Sequence, residues 1–145
     1  MIRLIDVYED WPSALGPNPS EKILYDLLEE RDPNANISHK EMPTMSEHEA
    51  FVRRMPYRAW YLIQTWPTSF REFVGAIYLT NQREIGIGIF KKYQGQGHGT
   101  AAVRQLMELH PGKFYANISP HNPNSVKLFK RFGAKLIQNT FELES

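Results

Sequence analysis

Glu84-Ile-Gly-Ile-Gly-Ile-Phe90 runs directly into Lys91-Lys-Tyr-Gln-Gly-Gln-Gly-His-Gly-Thr100, and the reading of this stretch decides the fold. Its first part is a short Ile-rich apolar run, and helix-forming residues resume at Ala101, so the spacing predicts strand, loop, helix. Glycines at 95, 97 and 99 leave the turn bare on alternate residues, which lets backbone N–H groups approach a ligand and point at it. The helix that follows adds its own unpaired N–H groups and the positive end of its dipole. Together these features make a seat for phosphate, although one such glycine alone would serve equally as a tight turn that needs positive φ.

Two phosphate-binding patterns are excluded on the same residues. Gly97-His98-Gly99-Thr100-Ala101-Ala102 fits the G-x-G-x-x-A form of the dinucleotide fingerprint, but the residue roughly 20 positions later is Asn117, not an acid. The strand also ends well before Gly97, where a dinucleotide fold would turn at once. No Lys-Ser or Lys-Thr follows the glycines, which removes a Walker loop.

Gln94-Gly95-Gln96-Gly97-His98-Gly99 instead resembles the Q/R-x-x-G-x-G/A pyrophosphate loop of the GNAT superfamily of acyl-CoA-dependent N-acetyltransferases. Downstream, Asn122-Pro-Asn-Ser125-Val-Lys-Leu128-Phe129-Lys-Arg-Phe132-Gly133-Ala134 resembles that family's second signature, an Asn and a Ser opening a helix that ends in Phe-Gly-Phe or Phe-Gly-Ala. The likeness covers about residues 57 to 143. It implies an α/β (α+β mixed) GNAT fold: a mixed central sheet with an antiparallel meander, one parallel pair that splays, and helices on both faces.

Composition is consistent with that frame. A chain of 145 residues makes one domain, residues 1–145, with a substantial core. Hydrophobic content of 41% and charge of 23% are those of an ordinary soluble globule. The absence of Cys removes disulfides, zinc-thiolate sites and a cysteine nucleophile. With no signal-peptide pattern at Met1 to Asp10 and no long apolar run, the expectation is a soluble, unsecreted, cytoplasmic protein that uses no metal. Net charge is +1 but unevenly placed: residues 1–50 sum to −7 and residues 51–145 to +8. That division suits an enzyme joining an amine to a polyphosphate coenzyme, and it equally suits solvated helix faces.

Taken in order, Ile2 to Val7 reads as a strand and Glu9 to Pro19 as a proline-rich loop. Ser20 would cap a helix from Glu21 to Arg31, stopped by Asp32-Pro33. Asn34 to Met45 reads as a loop, and Ser46 to Glu49 as a capping box for a short helix through Arg54. Tyr57–Thr65 and Phe70–Thr80 form a hairpin leading by a tight turn into Glu84–Phe90, a three-strand meander. A helix over Gly99–His110, a strand over Lys113–Ser119, a helix from Asn122 to Arg131 or Phe132 and a final strand over Lys135–Leu143 complete the chain. Residues 84–119 are then one right-handed parallel crossover, with Gly86 and Gly88 as places for the central strand to bend.

What the resemblance implies for chemistry is specific. Acetyl-CoA would be the co-substrate, with its pantetheine arm against backbone at Ile89, Phe90 and Lys91. Its diphosphate would lie on Gln94, Gly95, Gln96, Gly97, His98, Gly99 and Thr100, with Asn122, Phe129 and Lys130 as further neighbours. An alkylamine with a pKa near ~10.4 is neutral in only about one molecule in a thousand at pH 7, so its proton needs an acceptor. Glu84 matches where the family often places that base, and His121 and His39 are substitutes. Backbone N–H groups near Ile89 or Phe90 would stabilise the oxyanion. Many members carry Tyr where this chain has Phe129, so Ser125 is the general acid expected here. Glu84 also reads as an exposed strand start, and Asn122 with Ser125 as a helix cap and first-turn residue.

On the acceptor side, Glu29, Glu30, Asp32, His39 and Glu41 would attract a cationic amine, and Trp60, Tyr61, Trp66 and Tyr78 would line its pocket. The expected partner is a small-molecule or peptide amine, with a homodimer left open. Two other classes compete. One is a GNAT-fold module that binds acyl-CoA without turnover, suggested by Phe129. The other is a nucleic-acid binder using Lys127, Lys130, Arg131 and Lys135, for which a pI near 8.0 is too low.

Overall fold

Alternating side chains on four strands divide the core into two layers, one on each face of a sheet. β1 (Ile2–Asp6), β2 (Ala59–Thr65), β3 (Phe73–Leu79) and β4 (Ile85–Ile89) pair antiparallel in sequence order. Ile63, Ile77, Leu79 and Ile85 leave the sheet on one face and meet Ala102, Val103 and Leu106 of α3 (His98–Leu109). Trp60, Leu62 and Ala76 leave on the other and meet Leu24 of α1 (Pro19–Glu30) and Val52 of α2 (Met45–Arg53). Leu62, Ile63, Ile77, Leu79 and Leu106 are fully buried, each contributing about 1.5–3 kcal/mol. The computed structural model describes residues 1–9, 19–31, 41–65 and 72–145. The expected loops at Glu9–Pro19 and Asn34–Met45, together with Asp32, His39 and Trp66, lie wholly or mainly outside the described residues.

Several boundaries differ from the sequence expectation. Ser20 is a buried residue inside α1, not its cap. The capping box of α2 sits two residues earlier than expected: Thr44 accepts from the Glu47 N–H while the Glu47 side chain accepts from the Thr44 N–H. Both Thr44 and Ser46 precede a Glu by three, and Thr44 is the one with extended backbone.

The larger corrections concern the half of the sheet beyond β4. The β3–β4 register is unbroken, so Gly86 and Gly88 carry no bulge. They make room for neighbours: a Cβ on Gly86 would lie 1.9 Å from the Tyr78 ring, and one on Gly88 would lie 3.3 Å from Leu27 of α1. The sheet's irregularity is one strand away, between Ile63 and Gln64 against β3. Residues 113–119 do not form a strand. Their parallel pairing with β4 is one isolated bridge between Glu84 and Tyr115, because the chain turns at Ser119 into α4 (Pro123–Arg131), where the Asn122 N–H returns to the Ser119 carbonyl at 3.0 Å. All four named strands are therefore antiparallel, and the expected parallel pair is absent. Nor does Lys135–Leu143 form a strand; every residue from Gly133 onward is exposed.

Candidate active site

The glycine loop is built as a one-turn 3-10 segment (Lys91–Tyr93) followed by two left-handed glycines, Gly95 at φ 76° and Gly97 at φ 84°. Gly97 is the N-cap of α3, and its carbonyl accepts from Ala101 at 3.1 Å. Glycine is the residue that takes these angles at no steric cost. A Cβ at either position would stand in open space, so these glycines serve the backbone angle rather than relieve packing. Gln94 spends its N–H on the Lys91 carbonyl and folds its side-chain amide onto the Ile89 carbonyl at 3.0 Å, which ties the loop to the end of β4. The N–H groups from Gly95 to Thr100 have no acceptor among the described residues, as the start of a helix requires. They cluster at the positive end of α3, where an anion is favoured.

β4 itself has one satisfied edge and one open one. Even residues face β3, as the Phe90 N–H to Val74 carbonyl bond at 2.9 Å and the Thr80 N–H to Glu84 carbonyl bond at 2.9 Å record. Odd residues face away. Of these, Ile85 gives its N–H to the Tyr115 carbonyl at 2.7 Å, while those of Ile87 and Ile89 have no acceptor among the described residues. The expectation for Ile89, Phe90 and Lys91 is thereby narrowed. Phe90 donates to Val74, and Lys91 donates to the Glu30 carboxylate at 2.8 Å, leaving Ile89 as the open donor of the three.

Glu84 stands at the other end of β4, about 17 Å from Ile89 by the rise of a strand. Thr80 Oγ1 lies 3.3 Å from one carboxylate oxygen and Asn117 Nδ2 donates to the other. Asn117 therefore belongs with Glu84, a link that sequence reading missed because it depends on the bridge at Tyr115. Asn122 is the N-cap of α4, accepting from the Ser125 N–H at 3.3 Å. Its reading as a cap is realised, and the Ser125 hydroxyl remains half-buried. No hydrogen bond among the described residues joins Ser125 to Glu84. Phe129 is buried in the core with Val103 and Ile85, while Lys130 and His121 are exposed. Of the cations Lys127, Lys130, Arg131 and Lys135, which coenzyme phosphates would suit as well as nucleic acid, Arg131 reaches Thr100 Oγ1 with its guanidinium at 3.5 Å and so places a cation beside the first turn of α3. Its signal was a basic last turn on α4.

On the α1 side, the presumed acceptor residues separate. Trp60 is buried in an aromatic cluster, 4.8 Å edge-on to Tyr57, and Tyr57 stacks on Tyr78 at 3.9 Å. Burial, and then the neighbouring Tyr78 phenol, push the Tyr57 hydroxyl well above the ordinary phenol range. Tyr61 faces the other way and bonds His110 at 2.8 Å. Glu29 and Glu30 line a cleft of about 820 Å³ with Asp26, Glu72, Phe73 and Phe90. Among the described residues, no group of three or more His, Asp or Glu is gathered as for a metal ion, and no helix is long and apolar enough to cross a membrane.

Residues 23–135 match the acetyltransferase (GNAT) domain family. The chain belongs to the GNAT acetyltransferases. Its GNAT fold is shared with a domain from Methanocaldococcus jannaschii DSM 2661 at TM-score 0.69 and 21% identity, covering 98% of this chain and 92% of that one. It is also shared with the Vibrio cholerae spermidine/spermine N-acetyltransferase SpeG, in mutant forms, at TM-score 0.64 and 15% identity over 91% and 78% of the two chains. A Trypanosoma brucei acetyltransferase aligns at TM-score 0.58 and 17% identity over 100% and 99%. No curated protein sequence is significantly similar to it. Membership of the GNAT family supports acetyl transfer as the class of reaction.

Proposed function

We propose that this GNAT domain transfers an acetyl group from acetyl-CoA to a primary amine by direct attack while both substrates are bound, there being no Cys to carry the acyl group. The observation that carries the reading is the run of open N–H donors at Gly95 to Thr100, continued along the open edge of β4 by Ile89 and Ile87. The residues fit the coenzyme: among the described residues no atom beyond the chain neighbours lies within 4 Å of where a Cβ on Gly95 or Gly97 would stand, so the loop backbone is open to a ligand, and Arg131 supplies positive charge beside Thr100. When bound, the coenzyme supplies an activated thioester with a good leaving thiol.

The chain's own groups do the rest. Gly95 to Thr100 hold the diphosphate by backbone donation, which needs no particular side chain. Ile87 and Ile89 offer their N–H groups to carbonyl oxygen, and a donor aimed at developing oxyanion charge is worth about 3 kcal/mol. Glu84, oriented by Thr80 and Asn117, accepts the amine proton directly or through water. Ser125, whose N–H is already capped by Asn122, has its hydroxyl left to return a proton to the thiolate. Because Glu84 stands about 17 Å from Ile89 along β4, and the phosphate seat follows Ile89 in the chain, only a ligand with a long arm joins seat and base. The acidic cleft beside Glu29 and Glu30 supports a cationic acceptor, in keeping with the −7 charge of residues 1–50.

The alternative is an acyl-CoA-binding module without turnover, favoured by Phe129, which is buried in the core and has no hydroxyl. Calorimetric titration with acetyl-CoA, followed by thiol release across a panel of primary amines, tests both. Binding with amine-dependent release supports the enzyme, binding without release for any amine supports the module, and no binding by folded protein defeats both.

A further inference from the structure

Arg83 closes the turn between β3 and β4 with φ at 64°, in the left-handed region where an L side chain is strained and glycine sits freely. The turn asks only for that angle: the Arg83 N–H returns to the Thr80 carbonyl at 3.0 Å and the Thr80 N–H to the Glu84 carbonyl at 2.9 Å. What arginine adds over glycine is a side chain, and that side chain is spent on the stretch returning from α3. Its Nη2 donates to the His110 carbonyl at 2.6 Å, its Nε donates to the Lys113 carbonyl at 2.6 Å, and the guanidinium lies 4.5 Å over the Phe114 ring. α3 has no basic residue in its own last turn, so Arg83 supplies the cation that the negative end of a helix favours. The His110 anchor is held from the far side as well, where the Tyr61 hydroxyl meets its Nε2 at 2.8 Å. Gly112 leaves room for the guanidinium, since a Cβ there would fall 2.8 Å from Nη2.

This clasp stands directly before the bridge to β4. The Tyr115 N–H donates to the Arg83 carbonyl at 2.9 Å, and the Ile85 N–H donates to the Tyr115 carbonyl at 2.7 Å. Tyr115 is thereby paired with Glu84, and Asn117, two residues on in extended chain, falls on the same face and donates to the Glu84 carboxylate. One bridge is a weak hold on a segment that turns away at Ser119, and Arg83 reinforces it where the segment enters.

We propose that Arg83 is a positioning residue for acyl transfer, clasping the return from α3 so that Asn117 holds the Glu84 carboxylate in place; this rests on the reading of Glu84 as the proton acceptor. Thr80 Oγ1, 3.3 Å from one carboxylate oxygen, belongs to the local turn and stays without Arg83. Asn117 arrives across 33 positions of chain and depends on the clasp. Arg83 acts through carbonyls and not as a counter-charge, for among the described residues no ion pair joins it to Glu84.

Arg83→Gly separates the two roles, because glycine relieves the backbone angle and keeps the turn while removing the clasp. The side-chain amide protons of Asn117, assigned in NMR spectra against Asn117→Ala, report the contact without any substrate. In Arg83→Gly they are expected to move to where Glu84→Ala puts them, with a cooperative thermal melt and acetyl-CoA affinity retained. In thiol release from acetyl-CoA with an amine of the panel, kcat is expected to fall about tenfold. Adding Arg83→Gly to Asn117→Ala is expected to cost nothing further. Unmoved Asn117 protons in Arg83→Gly, a kcat loss additive with that of Asn117→Ala, or loss of the fold would each overturn the proposal and leave Arg83 a structural residue. The reading of Glu84 as the base fails separately, through an unchanged kcat in Glu84→Gln.

Discussion

Along its β3 side β4 is laddered from end to end, whereas on its other side it makes one bridge at Tyr115 and then stands open at Ile87 and Ile89. Both edges belong to the same five residues, Ile-Gly-Ile-Gly-Ile, so composition does not distinguish them. The difference is in how the partner arrives. β3 is delivered by a short turn through Asn81 and Gln82, while residues 113–119 come back only after a helix and leave again at Ser119. Local closure makes a continuous ladder, and non-local return leaves the backbone donors of Ile87 and Ile89 open.

The comparison is best broken at the catalytic end. Glu84→Gln is expected to lower kcat about 100-fold or more with acetyl-CoA affinity unchanged, since general-base contributions run to about 10²–10⁴. Asn117→Ala should reproduce part of that loss in kcat; unchanged turnover in both variants would remove the bridged end from catalysis.

At the open end, Gly97→Val should weaken acetyl-CoA binding more than tenfold by calorimetry, because a branched residue is strained at φ 84° and its side chain would cover the loop backbone. On the laddered side, Gly86→Ala should instead cost stability, about 1–3 kcal/mol by chemical denaturation, as the new methyl meets Tyr78. Tyr78→Ala in the same chain should recover part of that loss; a neutral Gly86→Ala would mean that this face is not packed as described.

A smaller effect is expected at Arg131. Arg131→Ala should weaken acetyl-CoA severalfold and flatten the salt dependence of binding, with kcat retained. The smallest concerns pH. Burial lowers the His48 imidazole, and burial with Arg58 and Arg83 lowers His110, so in the folded chain both take up protons less readily than in the unfolded one. Stability should therefore be full above the ordinary imidazole value near 6.5 and fall as pH drops below it. His48→Gln should reduce that slope in thermal melts; an unchanged slope would assign it to other groups.

The sequence by itself determined the elements whose signals are local. Alternating glycines before a helix marked the loop that opens α3, apolar periodicity marked β1 to β4 and α1 to α4, and Asn122 with Ser125 marked a helix start. Only the tertiary structure decided which of those residues meet. Gly86 and Gly88 looked like bending points, and their purpose became plain only with Tyr78 and Leu27 packed over them. Asn117 meets Glu84, and Arg131 meets Thr100, through contacts made across 33 and 31 positions of chain. The segments 113–119 and 135–143 carry strand-like patterns yet form no ladder, because a strand is completed by its neighbour's hydrogen bonds, and no residue encodes a neighbour's position by itself.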